Sequence, residues 1–137
     1  MYMKIKSIMV IMAISVVALA ACQESVDERA AREAKEFTRK NCPTPIVNNT
    51  RIDSLVYEES THTIHYYRTL FNDADNADAI RNNEAALREA LVGEFKSSAS
   101  IKMYVEAGMN FKLTYHSGSN PQQVLYETTL SAADISR

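Results

Sequence analysis

Apolar residues open the chain as a block and then settle into two alternating rhythms. Ile8 to Ala21 is apolar throughout except for Ser15. This block is shorter than the roughly 20 apolar residues that a membrane-crossing helix needs. From Val26 the rhythm is helical. Val26, Ala30, Ala34 and Phe37 share one face, Ser25 and Glu28 have the spacing of a capping box, and Asn41-Cys42-Pro43 stops the pattern. The spacing predicts a helix over 26–40, then a loop over 42–50. Period-two alternation over 51–58 and 63–71, about a turn at Glu59-Ser60-Thr61, predicts a hairpin. Ile80, Leu87, Ala90, Leu91 and Phe95 predict a second amphipathic helix, in which Gly93 is a weak point. Ile101 to Ala107 reads as a strand or a short helix, and Ser100 as a cap with Gly108 as a terminator favours the helix. A second hairpin over 110–116 and 122–130 turns through Gly118 and Pro121.

The order helix, hairpin, helix, hairpin predicts an α+β fold, a four-stranded antiparallel sheet with helices on one face. Alternation assigns Ile52, Val56, Ile64, Tyr66, Leu70, Phe111, Leu113, Tyr115, Val124, Tyr126 and Leu130 to the buried face, beneath Phe37, Leu87 and Leu91. It assigns Leu55, Tyr57, His65, Tyr67, Phe71 and Leu125 to the outer face, among Arg51, Asp53, Lys112 and Glu127. Aromatic residues mixed with charges are what protein-binding surfaces favour. Arg51, Tyr57, His65, Tyr67 and Lys112 are therefore the candidate binding surface. Scattered apolar residues on an exposed sheet are also ordinary.

Composition narrows the function. The chain has 137 residues, 46% of them hydrophobic and 23% charged, with a formal charge of −2. That is one domain's worth of chain without the basic excess of a nucleic-acid binder. No phosphate loop, serine nucleophile elbow or zinc-protease helix occurs in the sequence. His62 and His65 are three apart on a strand and point to opposite faces. His65 and His116 can share a face but lack a third ligand for zinc. Asp73, Asp75 and Asp78 have part of the spacing of a calcium loop but lack its Gly and closing Glu, so they read as capping residues. No metal or cofactor is implied.

The opening block carries an address. Lys4 and Lys6 precede it, and it ends in Leu19-Ala20-Ala21-Cys22. A basic start, a short apolar core and this ending resemble the signal peptide and lipobox of bacterial lipoproteins. The resemblance implies cleavage before Cys22 and a diacylglycerol on its sulfur. It divides the chain into a removed leader (1–21), a lipidated tether (22–25) and one α+β domain (26–137). Two or three acyl chains anchor stably where one does not. Gln23 in place of Asp implies, by analogy with enterobacterial lipoproteins, the outer membrane rather than the inner, on the periplasmic side. The run from Pro45 to Ser54 with its Thr50-Arg51-Ile52-Asp53, the Tyr-rich hairpins and Ala107-Gly108 resemble an uncharacterised group of small bacterial α+β lipoproteins.

With Cys22 lipidated, Cys42 is the remaining cysteine, a free thiol behind the first helix. Thiolates are stabilised at helix starts, so its position argues against a nucleophile. The expected role is a small protein-binding or accessory module on the envelope, held to membrane lipid through Cys22 and meeting an envelope protein. The alternatives are a small periplasmic enzyme with a carboxylate or thiol site, and a ligand-binding or inhibitor module. An apolar pocket between sheet and helices would favour the last.

Overall fold

The structure, a computed structural model, describes residues 23–137. The leader and the expected lipidation site Cys22 lie outside the described residues. Helix α1 (Val26–Asn41) begins where Ser25 Oγ accepts from the Glu28 amide at 3.1 Å, and ends with Cys42 as its C-cap. Strands β1 (Thr50–Glu58) and β2 (Thr63–Leu70) form the first hairpin about a 3₁₀ turn at Glu59–Thr61. A crossover follows through α2 (Ala77–Asn82), α3 (Glu84–Lys96) and α4 (Lys102–Glu106). Strands β3 (Asn110–Ser117) and β4 (Val124–Leu130) form the second hairpin, and α5 (Ala132–Ser136) closes the chain.

The α+β class and the four strands match the expectation, with sheet order β1-β2-β3-β4. The pairing differs at the centre. The two hairpins are antiparallel, but β2 and β3 run parallel. The cause is the crossover. Helices α2 to α4 carry the chain back over one face, so β3 starts from the same end as β2 (Thr63 stands opposite Asn110). The second amphipathic stretch is two helices rather than one. They break at Asn83, whose amide still bonds Ile80 O while its carbonyl accepts from Leu87.

Two strand irregularities correct the assignment of faces. A shift between Ile52 and Ser54 leaves Asp53 as an extra residue in β1. One extra residue reverses the side of every later side chain. Leu55 and Tyr57 therefore join the helical face, and Val56, expected in the core, is 44% exposed on the outer one. A second shift, between Tyr115 and His116, puts Val124 outside at 51% exposure.

The core lies between the sheet and the helices. Met109, Phe111, Leu113 and Leu130 are fully buried there, with Ile64, Leu91, Phe95, Ile101, Tyr104, Tyr115 and Ile135 around them. Helix α1 packs chiefly on β1, which is an edge strand. It also closes that edge. Thr38 Oγ1 donates to Leu55 O and accepts from Leu55 N, both at 2.9 Å; beyond the helix, Thr44 Oγ1 accepts from Ile52 N at 2.9 Å and the Thr44 amide donates to Ile52 O at 3.0 Å. Unpaired strand edges invite aggregation, and these contacts occupy the edge groups of Ile52 and Leu55.

Candidate functional site

The helix-covered face carries two open grooves. The first has a volume of about 330 Å³ and lies between α1 and the α3–α4 segment. Ala30, Ala34 and Phe37 of α1 form one wall, and Phe95, Ser98 and Ile101 the other. Its floor is Ile52 and Leu55 of β1 and Ile64, Tyr66 and Arg68 of β2. The second, of about 510 Å³, lies over Leu70, Tyr115 and Tyr126, beneath Ile80, Leu87 and Leu91. Both volumes are in the range of ligand sites. Small residues at the α1 contact, Ala30 and Ala34, bring that helix close to the sheet, and α1 nonetheless stands apart from α3. The groove is the gap that remains.

Polar contacts pin the gap's walls. Tyr104 of α4 donates to Glu33 of α1 in a short hydrogen bond, and Arg29 holds the same carboxylate at 2.7 Å. The Tyr104 hydrogen bond and then Arg29 keep the Glu33 carboxyl below the usual carboxylate range, while burial and Glu33 push the Tyr104 phenol up to about 12. Between the two grooves, Arg68 donates from Nη2 to Glu94 at 3.1 Å and from Nη1 to the Tyr115 hydroxyl at 3.0 Å. Its guanidinium also lies over the rings of Tyr66 and Tyr115, at 5.6 and 5.8 Å from their centroids.

The outer face is built differently. Glu58, His65, Thr114 and Glu127, one from each strand, form a hydrogen-bonded row across the sheet. His65 Nδ1 meets Glu58 in a short contact, and Nε2 meets Thr114 Oγ1 at 2.7 Å. The Thr114 hydroxyl donates to Glu127 at 2.7 Å, and Lys112 stands 3.5 Å from the same carboxylate. That Thr114 bond, with Lys112 beside it, holds the Glu127 carboxyl below the usual range. With the hydroxyl proton spent on Glu127, both ring nitrogens of His65 face acceptors. Tyr67 stacks on the imidazole at 4.0 Å. Thr69 donates to Asp53 at 2.5 Å, and Arg51 pairs with Asp53 at 2.7 Å and covers the Phe71 ring. These polar groups answer one another.

Of the five residues expected to form a binding surface, Arg51, His65, Tyr67 and Lys112 share this outer face. Tyr57 does not, because of the bulge at Asp53. Its hydroxyl donates to Asp27 in a short hydrogen bond and lies 3.2 Å from His62 Nδ1, fastening the first turn of α1 to the hairpin turn. His65 and His116 do share a face, but they stand four residues apart along the paired strands. Asp75 accepts from the amide and hydroxyl of Ser119, at 3.0 and 2.6 Å, and thus links the crossover to the second hairpin. The Cys42 thiol is half-buried, and burial followed by the Asp53 charge raises its pKa. Such a thiol is a weak nucleophile at neutral pH. The alternation missed Arg68, although it occupies a core-facing position between Tyr66 and Leu70.

A family model described as a domain of unknown function, DUF8479, matches residues 25–126. A comparison with curated proteins found no match. Among solved structures, a Pseudomonas aeruginosa protein classed as secreted matches with TM-score 0.63 and 12% identity, over 82% of this chain and 99% of that one. The pilotin EpsS of the Vibrio vulnificus type II secretion system matches with TM-score 0.60 and 12% identity, over 80% and 90%. The type II secretion system pilotin AspS of Vibrio cholerae matches with TM-score 0.58 and 16% identity, over 85% and 98%. At these identities the likeness is one of fold.

Proposed function

The chain belongs to the DUF8479 family, and we propose that it is a lipid-anchored accessory protein of the bacterial envelope that docks a peptide segment of an envelope protein in the groove between α1 and α3–α4. The observation that carries this reading is the groove itself, mainly apolar in its lining, in a fold shared with two secretion-system pilotins. It is also the kind of apolar cleft between layers that a ligand-binding module needs. An amphipathic segment laid along it would bury its apolar side against Phe37, Leu55, Ile64 and Phe95, in the helix-in-groove manner.

The anchor adds geometry. Acylation of Cys22 would hold the chain to the outer membrane on its periplasmic side. Helix α1 lies against β1 instead of standing free, so the leash is Gln23 to Ser25 alone. Three residues span at most about 10 Å. The groove is walled by the very helix that the anchor precedes, so a docked partner is brought to the bilayer.

A photo-crosslinking amino acid placed at Phe37 or Ser98, in cells that make the protein, tests the reading. The expected result is a single envelope protein captured from both positions and not from Tyr67 on the outer face. Capture from Tyr67 alone would overturn it. Mass spectrometry of the isolated protein should find residues 1–21 removed and acyl chains on Cys22, and a bare Cys22 would remove the anchor.

A further inference from the structure

Arg68 stands where the alternation of β2 calls for an apolar side chain, and it is 8% exposed. Two of its three nitrogens have partners. Its Nε–H has none, and it is the one buried side-chain nitrogen or oxygen without a hydrogen bond among the described residues. A buried donor left unpaired on a cation is costly and uncommon. The guanidinium is a planar fork suited to two-point binding of a carboxylate. Its present acid partner fits loosely. Glu94 reaches it at 3.1 and 3.5 Å, and the Glu94 side chain is 52% exposed, so its own carboxylate gives up little on turning into water once another anion takes its place. The groove's other charge, Glu33, is already answered by Arg29 and Tyr104. When Glu94 leaves, the floor presents one uncompensated cation in apolar surroundings.

We propose that Arg68 recognises a carboxylate carried by the docked peptide segment, and that Glu94 is a placeholder which the incoming carboxylate displaces. The inference rests on the docking groove argued above and names the chemistry of its occupant: apolar side chains flanking an Asp, a Glu or a chain terminus.

The test compares N-acetylleucine with N-acetylleucinamide, identical but for the carboxylate. Binding to the mature chain as isolated from cells is followed by NMR on the amides of Ile64, Phe95 and Ile101. The carboxylate probe should bind about tenfold more tightly than the amide, as a charge-assisted bond in a desolvated site implies. Glu94→Gln should strengthen the carboxylate probe roughly fivefold and leave the amide unchanged. Arg68→Met, which keeps the apolar stem, should abolish the preference; if it fails to fold, Glu94→Gln decides. Equal binding of both probes in the wild type and in Glu94→Gln, with shifts in the groove, would overturn the anchor and leave the groove standing. No binding, or shifts elsewhere, would overturn both. Native mass spectrometry should show a monomer with an empty groove, and a retained acyl chain or a dimer covering the groove would overturn the peptide occupant.

Discussion

The two faces of the sheet solve the polar-group problem in opposite ways. On the outer face the ionised side chains sit in a row of matched partners from Glu58 to Lys112, and the Asp53 cluster is equally complete. The helical face is nearly all apolar, yet it holds an arginine with a donor unspent. A satisfied network gains little from a partner, since each new bond replaces one already made. In the apolar groove a carboxylate that exchanges for the half-exposed Glu94 brings apolar burial with it. Charge and aromatic content alone pointed to the outer face; the hydrogen-bond accounting points to the other.

Stability should divide along the same line. Leu113→Ala removes a fully buried side chain beneath the helices and is expected to cost about 3–5 kcal/mol in urea unfolding. Val56→Ala on the outer face should cost under about 1 kcal/mol. A comparable loss at both positions would erase the distinction between the faces.

A smaller effect probes the outer network. Thr114→Val keeps the shape and removes the hydroxyl that joins His65 to Glu127. The expected loss is about 1–3 kcal/mol, because a buried imidazole nitrogen is left without a partner. Thr129→Val, on an exposed neighbour in β4, should change stability by less than about 0.5 kcal/mol. The same urea titration reads both.

The smallest effect lies at the chain end. Asp134 bonds the Ser131 amide and Arg88, and these contacts hold its carboxyl down at about 2, the Ser131 backbone bond contributing most. A depressed carboxyl stabilises the fold above its unfolded pKa and loses that contribution as pH falls through its folded one. The contribution of α5 should therefore be complete at pH 5 and fade toward pH 2. Ser131→Ala should cost about 1 kcal/mol at neutral pH and raise the Asp134 pKa, as seen in a carboxyl NMR titration.

Much of this fold was legible in the sequence, for physical reasons that differ by element. Helix α1 announces itself by Ser25, its apolar spacing and Cys42-Pro43, all local signals. The strands show in alternation, and Ile64, Phe111, Leu113 and Leu130 fall in the core as parity requires. Parity fails beyond Asp53 and again near Val124, because a bulge is set by pairing with a neighbouring strand and leaves no mark in the strand's own composition. The parallel centre is likewise a matter of where a long crossover lands. Helix α5 has a local signal too, since Ser131 and Asp134 form a full capping box, but it is too short to show an apolar period. Arg68 was also readable, as a charge at a core position in β2. Its meaning was not, since the unpaired Nε–H emerges only once Glu94 and Tyr115 are placed beside it.

The most direct test of the docking groove sets one variant on each face against the other. Ser98→Trp fills the groove from its α3–α4 wall, and Arg51→Glu with Lys112→Glu inverts the outer face. With the partner identified by crosslinking, its affinity for each variant should fall at least about tenfold for Ser98→Trp, or about 1.4 kcal/mol, and stay within about twofold for the double charge reversal. Loss of binding in the charge-reversed protein, with Ser98→Trp unaffected, would contradict the account.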